Sequence, residues 1–310
     1  MSKKYAIETT MLTKTYGKQT VVNAVNLHVP NGHIYGLLGR NGAGKTSIMK
    51  MILRLSLPTS GSVALFGHPV TKKDKETFHR IGAIIETPGF YPNLTGTENL
   101  EIFAKLRGTT RSDAVDSALR LVGLPCNDKK LFGNYSLGMK QRLGIANAVM
   151  HDPELLILDE PINGLDPIGI AEVREFLRNL SVKEGKTILI SSHILSEIAM
   201  LVDDVGIMDH GVLLEESTMA ELKTKSREYI SFQVSDTAKA ALLLERHFGL
   251  QMGDYGIQDE ALLHVYKTGL DTAAMIKVLL DNNVSVSSSY LCQDTLEDYF
   301  KKITGGEGIA

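Results

Sequence analysis

Nine consecutive residues, Gly39-Arg40-Asn41-Gly42-Ala43-Gly44-Lys45-Thr46-Ser47, carry the chemistry around which this chain is organised. The first eight fit the G-x-x-x-x-G-K-[ST] pattern of a phosphate-binding loop. Glycine at 39, 42 and 44 opens backbone angles closed to other residues, so successive N–H groups can turn inward onto an anion. The N-terminal end of a following helix adds its partial positive charge. Lys45 adds a full charge, expected at the β- and γ-phosphates. The Thr46 hydroxyl is placed to ligate Mg²⁺, and Ser47 to hydrogen-bond a phosphate oxygen. A nucleoside triphosphate is the ligand this pattern implies.

A second chemical group lies far downstream. Leu155-Leu156-Ile157-Leu158 is an apolar run that delivers Asp159 and Glu160 to one edge of a sheet. Asp159 is suited to hold Mg²⁺ opposite Thr46, and Glu160 to reach an attacking water as general base. Tyr16, in Lys14-Thr15-Tyr16-Gly17, is either surface packing or a ring for stacking on a base; its position alone does not decide.

The elements that must position these groups read as α/β. Residues 5–38 are expected as strands, with Val21 to Val29 one of them and Ile34 to Leu38 leading into the loop. A helix is expected over Ser47 to Leu55, from the apolar spacing of Ile48, Met51, Ile52 and Leu55. Strands follow at Ser62 to Phe66 and Ile81 to Ile85. The character then turns helical over about 95–151, opened by a Thr95-x-x-Glu98 capping box, with further helices over about 112–121 and from near Ser136. The α/β pattern resumes with the strand before Asp159, a helix capped by Asp166-Pro167, and a strand over Thr187 to Ser191 that ends at His193. Strands alternating with helices imply a mostly parallel sheet with its ligand at the strands' carboxyl ends. From about residue 225 a separate α+β unit is expected, in the order βαββαβ of a ferredoxin-like fold with a terminal helix. Its strands include 251–258, 261–266 and 284–290. The Gly305-Gly306 tail is expected to be disordered.

The order of these motifs resembles the ATP-binding subunit of ABC transporters over about residues 5–220. The resemblance rests on the phosphate loop, then a helical subdomain closing on Tyr135-Ser136-Leu137-Gly138-Met139-Lys140-Gln141-Arg142, then Asp159-Glu160, Asn163-Gly164-Leu165-Asp166 and Ser191-Ser192-His193. The family signature reads L-S-G-G-Q. Ser136 and Gly138 match it; Tyr135, Leu137 and Met139 depart from it. The resemblance implies a mixed, mostly parallel cassette with an antiparallel β subdomain. It implies that ATP and Mg²⁺ bind, with Tyr16 stacking on adenine and His193 contacting the γ-phosphate. Ser136 and Gly138 would serve the phosphate loop of a second copy in an ATP-dependent homodimer. Glu86 stands where the family has Gln and, as a carboxylate, would be a stronger Mg²⁺ ligand that donates no hydrogen bond unless protonated. Arg40 stands where the family commonly has Pro. Together with Glu86 and the 136–142 signature, the Leu296-Glu297-Asp298-Tyr299-Phe300 tail is similar to the bacitracin-resistance and lantibiotic-immunity branch. That branch implies a peptide-antibiotic exporter whose substrate touches a separate membrane permease rather than this chain. Segment 87–94, with Phe90, Tyr91 and Leu94, is the candidate permease dock. The alternatives are an ABC subunit for a drug, lipid or metal-related substrate, or a soluble ABC protein outside transport.

Bulk properties agree with that reading. The 310 residues are 43% apolar and 22% charged, with a formal net charge of −3. This suits a globular protein with a sizeable core and argues against a broad nucleic-acid surface. Cys126 and Cys292 fit neither metal spacing nor a disulfide framework, which points to a reducing compartment. No signal peptide and no apolar run of about 20 residues is present. A cytoplasmic protein, peripheral on the inner face of the membrane, is expected.

Overall fold

The computed structural model describes residues 4–71, 74–86, 89–109, 111–225, 228–267 and 269–304. Thr87 and Pro88 of the 87–94 segment, and the Gly305-Gly306 tail, lie outside them. The chain divides into two compact units, the first running through Ala220 and the second covering Glu221–Lys302.

The first unit opens with strands β1 (Tyr5–Tyr16), β2 (Gln19–Val25) and β3 (His28–Pro30), then β4 (Ile34–Gly39), which runs into the phosphate loop. Val21 to Val29 is not one strand. The chain breaks after Val25, where the buried Thr9 hydroxyl donates to Val25 O and accepts from the Leu27 amide at 2.8 Å. A side chain thus replaces the ladder bond that the break removes. Helix α1 (Lys45–Ile52) begins two residues before the apolar spacing suggests. Next come β5 (Ser60–Leu65), β6 (His68–Pro69), α2 (Lys75–His79) and β7 (Ile81–Ile84). Strands β2-β1-β5-β6, with β3 on β1, form an antiparallel sheet.

Helices α3 (Gly96–Arg107), α4 (Ala114–Leu121) and α5 (Leu137–Val149) make the helical part. Its start is fixed as the sequence suggests. Thr95 Oγ1 accepts from the Glu98 amide and Glu98 accepts from the Thr95 amide at 2.7 Å, a reciprocal capping box. Asn99, fully buried, then holds the preceding loop through both Tyr91 backbone groups. Of the three residues proposed to meet a permease, Phe90 is turned inward. Its ring packs on Phe103 and Phe132 at centroid distances of 5.4 and 5.1 Å, and Tyr91 is left exposed.

Strand β8 (Leu155–Leu158) and β9 (Thr187–Ser192), joined by α6 (Pro167–Glu184), complete the expected pattern. Asp166 caps α6 by accepting from the Gly169 amide at 2.8 Å, with Pro167 in the first turn. After α7 (Leu195–Ala199) come two strands that no motif announces, β10 (Asp204–Asp209) and β11 (Val212–Thr218). The sheet order is β11-β10-β4-β9-β8-β7, parallel from β10 to β7. Strands β4, β8, β9 and β10 are buried along their whole length. That burial is why they read as continuous apolar runs rather than alternating ones.

The second unit begins within α8 (Met219–Lys225). It continues through β12 (Glu228–Val234), α9 (Thr237–Phe248), β13 (Tyr255–Ile257), β14 (Leu262–Val265), α10 (Thr272–Asp281), β15 (Val286–Gln293) and α11 (Leu296–Ile303). The antiparallel order β13-β14-β12-β15 is that of a ferredoxin-like sheet. Ile230, Phe232 and Val234 pack with Leu263 and Val265 against Ala240, Leu244, Met275 and Leu279 of the helices. Residues 251–254 form a turn instead of a strand start, because Asp254 accepts from the Gln251 amide and Gly253 takes φ +104°.

Helix α5 lies directly on β7. A Cβ at Gly82 would fall 2.0 Å from Ala148 O. Gly82→Ala should therefore lower the stability of the first unit by about 3 kcal/mol through forced separation of strand and helix. Denaturant unfolding followed by far-UV circular dichroism measures it.

Candidate active site

Strand β4 ends at Gly39, and the chain turns through the loop into α1. At Gly44, φ is +102° and a Cβ would lie 2.6 Å from Val21 O; at Gly39 it would lie 2.4 Å from Met208 O. Neither position has room for a side chain. Gly44 also serves as N-cap without a side-chain cap, so the first amides of α1 are unclaimed by any side chain of the cap and face where an anion would sit. The Lys45 ammonium, almost wholly buried, donates to Gly39 O at 2.6 Å and Arg40 O at 3.1 Å. It lies 3.4 Å from Glu160 Oε1. Burial pulls the Lys45 pKa down, and the Glu160 and Asp159 carboxylates oppose that pull. Ala43 is buried, Arg40, Thr46 and Ser47 are half-buried, and Asn41 and Gly42 are exposed at the rim.

Strand β8 delivers the two carboxylates to the same edge. Thr46 Oγ1 donates to Asp159 Oδ2 at 2.7 Å. Ser191 Oγ, from the end of β9, donates to Asp159 Oδ1 at 2.5 Å and accepts from the Glu160 amide at 2.9 Å. Each Asp159 oxygen therefore has a hydroxyl donor. His193 Nδ1 lies 2.8 Å from Glu160 Oε2. Glu160 itself takes φ +49°, a conformation that costs a non-glycine residue roughly 1 kcal/mol or more. The geometry aligns two hydroxyls, two carboxylates, an ammonium and an imidazole from residues up to 148 positions apart in sequence, Lys45 to His193.

No group of three or more His, Cys, Asp or Glu side chains among the described residues is arranged to hold a metal by itself. A Mg²⁺ that takes most ligands from phosphate and water requires none. Thr46 Oγ1 and Asp159 Oδ2 are the hard oxygen pair that fits it. Glu86 is not part of that pair. It leaves β7 with φ +62° and its carboxylate meets Lys50 Nζ at 2.6 Å. The hydrogen bond to Glu86 raises the Lys50 pKa. Lys50 is the residue that motif reasoning missed, although it stands one helical turn beyond Thr46 and so on the same face of α1. Tyr16, at the end of β1, is 53% exposed, with Lys14 Nζ 4.7 Å from its ring centroid and its hydroxyl 3.4 Å from Ser56 Oγ. A broad ring face is available there for stacking.

Ser136 is the N-cap of α5, accepting from the Met139 amide at 3.3 Å. Leu137 packs onto the 163–165 turn: a Cβ at Gly164 would meet Leu137 Cδ2 at 2.6 Å, and one at Gly138 would meet Leu165 at 3.6 Å. The Tyr135 ring joins Phe132 at 5.8 Å, and its hydroxyl lies against Gly96, where a Cβ would fall 2.6 Å from it. That explains the departure from Leu at this position: the tyrosine ties the start of α5 to the start of α3.

Ser191 was absent from the motif-based site. Only its placement on β9, between β4 and β8, brings it to the Asp159 carboxylate and the Glu160 amide. Ser191→Ala should lower ATP hydrolysis by about tenfold to a hundredfold, the usual cost of removing a group that orients a ligand, while α-helical signal and monomer size stay unchanged. Steady-state phosphate release checks it.

A family model described as ABC transporter matches residues 22–163. The bacitracin transport ATP-binding protein BcrA of Enterococcus faecalis is 52% identical over 310 residues, covering 100% of both chains. The lantibiotic transport ATP-binding protein SrtF of Streptococcus pyogenes is 46% identical over 205 residues, covering 66% of this chain and 87% of its own. A solved structure described as the ATP binding subunit of an ABC transporter superposes with a TM-score of 0.63 at 30% identity, over 71% of this chain and 92% of that one. With full-length identity of this order added to the phosphate loop and its facing carboxylates, the chain belongs to the ABC transporter family, as an ATP-binding subunit with ATPase activity.

Proposed function

We propose that this chain powers removal of a bacitracin- or lantibiotic-like peptide antibiotic through a separate membrane permease. The observation that carries the substrate class is the 52% identity to the Enterococcus faecalis bacitracin transport protein along the whole chain. It extends beyond the nucleotide cassette, through the second unit. Among the described residues no helix is long and apolar enough to cross a membrane. In this reading the permease supplies the span and the substrate path, and the chain works on the inner face of the membrane. Nucleic acid has no part in it.

Each residue then has a role. The amides of 39–47 and Lys45 hold the phosphates, and Thr46 and Asp159 would hold Mg²⁺, which would supply positive charge to offset that of the phosphates. Tyr16 stacks on adenine, and Arg40 adds charge at the rim. Glu160 accepts a proton from the attacking water, and His193 keeps its carboxylate aimed and touches the γ-phosphate. Ser136 and Gly138 meet the γ-phosphate held by a second copy, so two chains enclose two ATP head to tail. Glu86, on Lys50, sits at the metal side of the loop and joins the ligand set when it leaves the lysine. Tyr91 is the exposed ring that docks the permease, and Phe90 behind it links that contact to Phe132, Tyr135 and Ser136.

Glu160→Gln should slow hydrolysis by about a hundredfold or more by removing the base and leave an ATP-bound dimer. Sedimentation with ATP and Mg²⁺ reads this, and a chain that stays monomeric overturns the two-chain site. Expressed with its membrane permease in a sensitive host, the chain should raise the inhibitory concentration of bacitracin or a lantibiotic several-fold, and Lys45→Ala should remove the gain. Unchanged sensitivity to both peptide classes overturns the substrate reading.

A further inference from the structure

The two edges of the second unit's sheet are built differently. β13, at one edge, has three residues and is bracketed by Asp254 and by Asp259 and Glu260. That is how sheet edges are protected: short, and flanked by charge. β15, at the other edge, has eight residues, Val286–Gln293, with no Lys, Arg, Asp, Glu or Pro among them. Its neighbour on one side is β12. On its other side Tyr290 is 64% and Leu291 74% exposed, consecutive residues on opposite faces of the strand. Ser289 Oγ, between them and β12, is buried without a hydrogen-bond partner. A long, uncharged edge is a template for strand addition.

We propose that the outer edge of β15 is a self-association surface, on which a second copy of this chain adds its own β15 antiparallel and extends the sheet through both copies. An uncharged strand carries no complementary charge pattern that would select a different partner, and it places no like charges opposite each other when paired with itself. The geometry also fixes the register. A twofold axis perpendicular to a sheet keeps each face on its own side, and directly opposed residues of an antiparallel pair point to the same face. Opposed residues must then differ by an even number of positions, so the axis passes through a residue. Centred on Tyr290, the pairing spans residues 287–293, sets Tyr290 against Tyr290 of the second copy and lays Leu291 against Ser289. The aromatic pair falls on the face opposite α9 and α10, since Tyr290 is opposite Ser231 and the core-facing Ile230 and Phe232 are opposite Leu291 and Ser289. An edge of this length forms a small interface, so the association is weak and concentration-dependent by itself. It needs no nucleotide. Given the two-chain ATP site proposed above, it would keep two cassettes at high effective concentration while that site is open.

The test uses the full chain without nucleotide and with EDTA, which separates it from the ATP-dependent dimer. In a Cys126→Ser, Cys292→Ser background, Tyr290→Cys should cross-link to a disulfide dimer under mild oxidation, because opposed Cα atoms lie about 5 Å apart. Ile257→Cys, on the opposite edge, should not. Leu291→Lys, at an exposed position, should abolish the Tyr290→Cys cross-link and the concentration-dependent dimer seen in sedimentation of the wild-type chain, while ATP binding is retained. A wild-type chain that is monomeric at every concentration overturns the proposal. So does cross-linking no faster at 290 than at 257, or unaffected by Leu291→Lys; either result leaves the ATP-site reading untouched.

Discussion

The Ser191 hydroxyl sits where three segments meet. It donates to Asp159, which also accepts from Thr46, and it accepts from the Glu160 amide. One side chain on β9 thus ties the end of β8 to the start of α1. This works only because β9 lies between β4 and β8 in the sheet, with all three parallel. Parallel alignment brings three carboxyl ends to one level, and the loops that follow them become one site.

Concentrating charge there has an electrostatic cost. Lys45 and Asp159 are both nearly buried, and a buried charge is tolerated only when it is paired and hydrogen-bonded. Two backbone carbonyls and Glu160 answer Lys45; two hydroxyls answer Asp159. The strained backbone at Glu160 belongs to the same arrangement. Its φ of +49° lets the amide reach Ser191 while the carboxylate reaches both His193 and Lys45. Most polar groups of the site satisfy one another, while Glu160 Oε1 is buried without a hydrogen-bond partner among the described residues and has the Lys45 ammonium at 3.4 Å.

The departures from the family pattern have local physical explanations. Tyr135, in place of Leu, keeps a ring in the Phe90–Phe132 cluster and adds a hydroxyl that packs against Gly96 at the start of α3. Glu86, in place of Gln, finds an ammonium one turn down α1. A carboxylate at an exposed position beside a cation gains little net energy. The pair therefore holds Glu86 loosely. For Arg40 in place of Pro the fold offers no such account.

Much of this molecule is written locally in its sequence. The phosphate loop requires glycine at 39 and 44 because strands from elsewhere press on those positions, and the pattern of small residues survives as a readable motif. The capping box at Thr95, the Asp166-Pro167 helix start and the alternation of buried strands with helices are legible because each depends on residues within a few positions. The ferredoxin-like order of the second unit is legible for the same reason. What the sequence left undetermined depends on strand order. Ser191 stands in a motif that gives it no role, Lys50 has no partner within reach in sequence, and Val205 to Met208, although a His210-Gly211 turn follows them, are placed in the sheet by pairing with β4. The inward turn of Phe90 and the uncharged edge of β15 likewise follow from packing. Local propensity fixes which elements form, whereas hydrogen bonds across neighbouring parallel strands, between residues 32 to 169 positions apart, decide which side chains meet.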